Sequence, residues 1–177
     1  NIKVVVVDDG SKDNTKKILT KINREKKIFE NELSFELINI FHETNRGLGG
    51  AIKTGMTYCF NNGNDEDIII TMDCDNSHTI DLCKEMINVL LEGNDVVIAS
   101  RYKKNSGIKG LSFYRKFLSD LGSLIFKISF PIKNVKDYTC GYRAFRLKKI
   151  KEAWKNDEDF FSEKGFTVSL DIILKLF

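Results

Sequence analysis

Four consecutive valines, Val4 to Val7, run directly into two consecutive aspartates, Asp8 and Asp9. A β-branched run with no polar alternation predicts a strand covered on both faces, as in the parallel sheets of α/β domains. The two acids then stand at its carboxyl end, the edge of an open α/β sheet where ligands bind. Gly10-Ser11 forms the turn, and the Ser/Asp/Asn cluster at 11 to 14 caps a helix from Asn14 to about Arg24, with Ile18, Leu19 and Ile22 as its apolar stripe. A single aspartate here would be read equally well as a helix cap. The adjacent pair points to ligand contact.

The same pattern repeats downstream. Phe35 to Phe41 predicts a second strand, and NRGLGGA at 45 to 51 a glycine-rich turn into a helix from about Gly50 to Asn61. DIIITMD at 67 to 73 predicts a third buried strand, Ile80 to Leu91 a helix, and DVVIAS at 95 to 100 a fourth strand. This alternation predicts a mainly parallel sheet with helices on both faces. It breaks down after residue 100. Residues 101 to 112 are loop-like and basic, Tyr114 to Phe130 reads as a helix closed by the lone proline, Pro131, and YTCGYRAFR at 138 to 146 returns as a strand. Three turns thus follow three strands: Asp8-Asp9, Asn45 to Gly50, and Asp73-Cys74-Asp75. A parallel sheet would deliver all three to one edge.

At 177 residues, 42% hydrophobic and 30% charged, the chain suits one α/β domain with a sizeable core. A net charge of +3 is too small to argue for nucleic acid. Cys59, Cys74, Cys83 and Cys140 show no CxxC spacing, and with only His42 and His78 to join them they do not form a zinc pattern. No run reaches the roughly 18 apolar residues of a membrane span. The chain opens inside a strand and closes inside a helix without polar tails, so it is expected to be part of something larger.

TMDCDNSH is the most informative stretch. Asp73 and Asp75, separated by one residue just past a strand end, can point outward together and share a hard cation such as Mg2+ or Mn2+ through oxygen. The alternative is a cap for the helix near Ile80. Cys74, on the other side of the turn, is assigned to packing. NRGLGGA either cradles phosphate with backbone amides or simply enters a helix; it has neither the lysine of a P-loop nor GxGxxG spacing.

DDGS after a buried strand, NRGLGGA, a DxD followed by Ser-His, ASRY, YRKFLS and TCGYRAFR together resemble a family 2 glycosyltransferase of the GT-A fold. Within that family the likeness is to the dolichyl- and polyprenyl-phosphate mannosyl- and glucosyltransferases, and it covers almost the whole chain in order. The resemblance implies a Rossmann-like α/β fold, with the family's first strand and its Pro-x-x-Asn-Glu turn lacking a counterpart before Asn1. It implies that Asp9, with Asp8 behind it, reads the nucleoside of a UDP- or GDP-hexose, that Asn45 and Gly47 line the donor site, and that Asp73 and Asp75 carry the cation that binds the diphosphate. Leu48 departs from the lysine that relatives often carry in this turn. Asp120 and Ser123 depart from the arginine and asparagine usual in mannosyltransferases.

No general-base motif accompanies these residues. For a phosphate acceptor none is needed, because a phosphate monoester has its second pKa near about 6 and arrives ionised at neutral pH. It needs positive charge instead, and guanidinium presents a fork matched to phosphate. Arg101, Arg115 and Arg143 are the candidates. By the resemblance, Arg101 and Arg115 take the acceptor phosphate with Ser119 as helper, and Arg143 lies near the reaction centre with Asp75. The expected activity is metal-dependent, inverting transfer of a hexose to a polyprenyl phosphate at the cytoplasmic face of a membrane, whose surface the 114 to 130 helix would meet. Three rivals stay open: a transferase acting on a polysaccharide or protein hydroxyl, a response-regulator receiver with Asp73 phosphorylated and Ser100 as switch, and a non-catalytic nucleotide-binding fragment.

Overall fold

The structure, a computed structural model, describes residues 2–26, 35–101, 126–157, 159–163, 165 and 167–177. The chain divides into two compact units, Asn1–Asn62 with Phe161–Val168, and Gly63–Phe160 with Ser169–Phe177.

In the first unit, β1 (Ile2–Asp8) and β2 (Phe35–Phe41) pair in parallel over seven residues, from Ile2 opposite Phe35 to Asp8 opposite Phe41. Each strand leads into a helix, α1 (Thr15–Lys26) and α2 (Gly47–Asn62). Asp13 caps α1, its carboxylate accepting from the Thr15 N–H at 2.9 Å and the Thr15 hydroxyl at 2.6 Å. The α2 helix packs on β1 where Gly55 meets Val7; a Cβ at position 55 would stand 3.6 Å from a Val7 methyl, so the absent side chain permits the approach. The valine run is not enclosed on both faces as its composition predicts. Ile2 and Val4 are exposed, as are Ile18 and Ile22 of the α1 stripe. Among the described residues β1 pairs with β2 alone, and a two-stranded ribbon has too little surface to bury a strand on both sides.

The second unit holds β3 (Ile68–Thr71), α3 (Asp81–Leu91), β4 (Val96–Ile98), β5 (Arg143–Arg146), α4 (Leu147–Asn156) and most of α5 (Val168–Leu176). Its strand order is β3-β5-β4, with β5 antiparallel to both neighbours. The expectation of a mainly parallel sheet is therefore corrected. Among the described residues parallel pairing is found in β1–β2 alone, because the returning RAFR strand inserts between β3 and β4 in the opposite direction. Met86 and Leu90 of α3 pack onto Cys140, Tyr142 and Ala144, with Ile68, Ile70 and Val97 against them, which makes one core beneath the sheet. Most of the predicted 114 to 130 helix lies outside the described residues; residues 126–129 are helical.

Candidate functional site

In the first unit the residues past β1 and β2 meet side by side. Asp8, the last residue of β1, is buried, and its carboxylate accepts from the Ser11 N–H at 3.2 Å, tightening the turn. Gly10 sits at φ +75°, and a Cβ there would lie 2.8 Å from the Asn45 backbone nitrogen. Only glycine allows the two turns to approach so closely. They border a cavity of about 480 Å3 whose lining includes Asp8, Ser11, Lys12, Lys16, Phe41 and Asn45, with the Lys16 ammonium 5.2 Å from the Phe41 ring centroid.

Asp9 leans to the β2–α2 side. Its Oδ1 lies 2.6 Å from His42 Nδ1 and accepts from the Arg46 N–H at 2.8 Å. Burial pushes its pKa up, but the hydrogen bonds from His42, Arg46 and Gly47 outweigh it and hold the carboxyl below its ordinary range. The Gly47 N–H is taken by Asn45 Oδ1 at 3.0 Å. Two amides at the start of α2 that a phosphate would require, those of Arg46 and Gly47, are thus engaged within the protein. Of the two readings of NRGLGGA, this geometry favours helix entry.

In the second unit the DxD turn follows β3. Its acids do not cap α3, whose N-cap residue, Ile80, has no side-chain capping bond. Instead Asp75 Oδ1 accepts from the Ser77 N–H at 2.9 Å, and Ser77 holds the Asp75 carboxyl below its ordinary range. Asn76 takes a left-handed φ of +62°, a conformation asparagine tolerates. The Asp73 N–H donates to His78 Nδ1 at 3.0 Å, and the His78 ring stacks on Tyr142 with centroids 4.6 Å apart. Gly141 lies beneath the Asp73 carboxylate, where a Cβ would stand 3.9 Å from its Oδ1. Thr71 fastens that glycine by donating to its carbonyl at 2.7 Å. Cys74 is exposed, not packed, since the turn points it outward. Among the described residues no group of three or more His, Cys, Asp or Glu is placed to hold a metal alone. Asp73 and Asp75 are both exposed, as carboxylates that share a cation with water and ligand phosphates have to be.

The arginines divide. Arg101 grips the fully buried Asp137 as a fork, Nε to Oδ2 and an Nη to Oδ1 both at 2.9 Å, while donating to the Thr139 hydroxyl at 2.7 Å. Burial raises the Asp137 pKa, but the hydrogen bonds and charge of Arg101 more than reverse it. Arg143 is buried and donates to the carbonyls of Cys140, Tyr138 and Ser169. Burial pulls its pKa down to about 10, so it keeps its charge at neutral pH. Its fork braces the 138–141 turn. Arg115 and Ser119 lie outside the described residues.

Sequence reasoning passed over two of these groups, His42 and Asp137. For His42 a signal existed. Asp8 is in register with Phe41, so the residue after each strand, Asp9 and His42, must be neighbours once the strands pair in parallel. Asp137 offered none, because its partner is 36 residues away with no periodic relation to it.

Residues 1–154 match the family described as glycosyl transferase family 2. Among curated proteins, the dolichol-phosphate mannosyltransferase of Pyrococcus furiosus is 27% identical over 99% of this chain and 44% of its own length. The UDP-N-acetylglucosamine–dolichyl-phosphate N-acetylglucosaminyltransferase of Methanococcus voltae is 32% identical over 84% of this chain and 60% of its own length. The polyprenol monophosphomannose synthase of Mycolicibacterium smegmatis is 25% identical over 97% of this chain and again 60% of its own length. The chain therefore spans about half the length of these relatives.

Proposed function

The chain belongs to glycosyl transferase family 2, and we propose that in the full-length protein it transfers a hexose from a nucleotide diphosphate sugar to a polyprenyl phosphate, by direct displacement with inversion. The observation that carries this reading is what the three relatives have in common. Their names differ in the sugar, mannose or N-acetylglucosamine, and agree in the lipid phosphate or its glycosylated product. The acceptor class is thus better supported than the sugar. Family membership removes the receiver-domain alternative.

In this reading Asp9, Asp8 and Asn45 contact the donor's nucleoside, with Gly47 shaping the turn. Asp73 and Asp75 hold Mg2+ or Mn2+, which would supply positive charge against the leaving diphosphate. Arg101 brings its guanidinium to the acceptor phosphate with its orientation already set by Asp137, alongside Arg115 and Ser119. Arg143 holds the Gly141 turn under Asp73 rather than touching substrate. Because the acceptor arrives ionised, no side chain has to remove a proton.

A lipid acceptor places the reaction at a membrane surface, which we take to be its cytoplasmic face. Exposed Ile128 and Phe130 beside Lys127 and Lys133 have the mixed apolar and cationic character of an interfacial segment. Among the described residues no helix is long and apolar enough to cross a membrane.

The test is a transfer assay with full-length protein, UDP- and GDP-hexoses and Mn2+, offering polyprenyl phosphate, free polyprenol and an oligosaccharide as acceptors. Transfer to the phosphate alone is expected, with little change between pH 7 and 9. A preference for a hydroxyl, or a steep rise over that range, would hand the assignment to the polysaccharide rival.

A further inference from the structure

His42 is the first residue beyond β2, and its ring is almost wholly enclosed, with 3% of the side chain exposed against 20% for Asp9. Three bonds fix it. Its backbone N–H donates to the Asp8 carbonyl at 2.9 Å, extending the β1–β2 ladder by one rung. Its Nδ1 lies 2.6 Å from Asp9 Oδ1, and its Nε2 lies 2.9 Å from the Thr54 hydroxyl on α2. The low pKa of Asp9 makes it an acceptor. Nδ1 therefore carries the proton, and in the neutral ring Nε2 accepts from Thr54.

Carboxylate, imidazole and hydroxyl stand in the order used by hydrolases to activate a nucleophile. Here the imidazole is buried and the hydroxyl lies within a helix, so the direction of use is reversed. The helix anchors the ring, and the ring anchors the carboxylate. We infer that His42 is a positioning residue for Asp9, locking through Thr54 the rotamer in which Asp9 presents its exposed edge to the donor nucleoside. The inference rests on the reading of Asp9 as a donor contact. It adds what makes that contact rigid.

The experiment measures binding of free UDP and GDP, with Mn2+ in excess, to full-length protein by calorimetry. His42→Leu is expected to weaken binding about tenfold or more, the order lost with a charge-assisted hydrogen bond. In an Asp9→Ala background it should do nothing further. His42→Asn, whose amide N–H can replace Nδ1–H but cannot reach Thr54, should recover part of the affinity that His42→Leu loses, whereas His42→Gln, whose amide reaches the Nε2 position, should recover none. An equal loss from Asn and Gln, or a full loss from His42→Leu in the Asp9→Ala background, would overturn the inference. Should His42→Leu fail to fold, the Asn and Gln pair decides. If Asp9→Ala binds nucleotide as wild type does, the donor reading is what has failed. The coupling is then judged from histidine nitrogen NMR spectra of the wild type, where His42 is expected as the Nδ1–H tautomer and the opposite tautomer would end the proposal.

Discussion

Among single side chains, Arg101 has two employments that a substitution separates poorly. Its truncation removes charge from the proposed acceptor site and also strands the buried Asp137 carboxylate. Breaking a buried pair by removing one partner costs about 3–5 kcal/mol, and since Arg101 is one-third exposed the lower end applies. Arg101→Ala is expected to lower the unfolding free energy by about 3 kcal/mol in urea titrations; a change under about 1 kcal/mol would place the pair in solvent. Arg115→Ala gives the cleaner acceptor test. It should leave donor affinity unchanged and lower transfer to polyprenyl phosphate by roughly 30-fold, about 2 kcal/mol at 1.4 kcal/mol per decade. At Asp75 the question is the cation. Asp75→Ala should reduce nucleotide-sugar affinity in Mn2+ to the level that wild type shows in EDTA. Equal binding by both proteins in both conditions would sink the metal assignment.

Among the elements, two of the glycines with left-handed backbone make a controlled comparison. Gly10 and Gly93 both have positive φ, but a Cβ at Gly10 would strike the Asn45 turn, whereas one at Gly93 meets nothing within 4 Å. Gly93→Ala should cost about 1 kcal/mol of backbone strain alone. Gly10→Ala should cost more, about 1–3 kcal/mol, and weaken nucleotide binding as well, which melting curves and calorimetry on the same samples would reveal. Equal and purely thermal effects would mean that the Asp8-Asp9 and Asn45 turns do not depend on each other. These turns, and every strand and helix around them, were legible in the sequence because β-branched runs, amphipathic spacing and glycine punctuation are local signals. The neighbours of each strand were not. Nothing in DIIIT or DVVIA states that RAFR will lie between them, and the hydrophobicity of Val4 to Val7 could not show that Ile2 and Val4 would remain exposed. The arginines divide likewise: charge type marked Arg101 and Arg143 as phosphate binders, while the engagement of Arg101 by Asp137 and of Arg143 by the Ser169 carbonyl arises only from long-range packing, and the local turn that brings the Cys140 and Tyr138 carbonyls onto Arg143 carries no residue-type signal.

For the molecule as a whole, the depressed carboxyls of Asp137 and Asp9 set the acid limit. Both have folded pKa values below the roughly 3.9 of an unfolded aspartate. Their stabilisation is thus fully present above that value and disappears as the pH falls through the folded values. Stability should decline below about pH 4, and Asp137→Asn, which no longer titrates, should show a shallower decline in denaturant midpoints. Parallel acid limbs for variant and wild type would remove Asp137 from the account. The order β3-β5-β4 also has a bearing on how the protein is made. Ile68 pairs with Arg146 and Val96 with Phe145, so the strand that joins β3 to β4 is the last of the three to leave the ribosome. Until synthesis passes Arg146, both earlier strands present open edges of isoleucine and valine, the kind of surface that recruits other chains. In a nascent chain stalled before that residue, β3 and β4 have no strand partner among the described residues, and this interval is when a chaperone has something to bind.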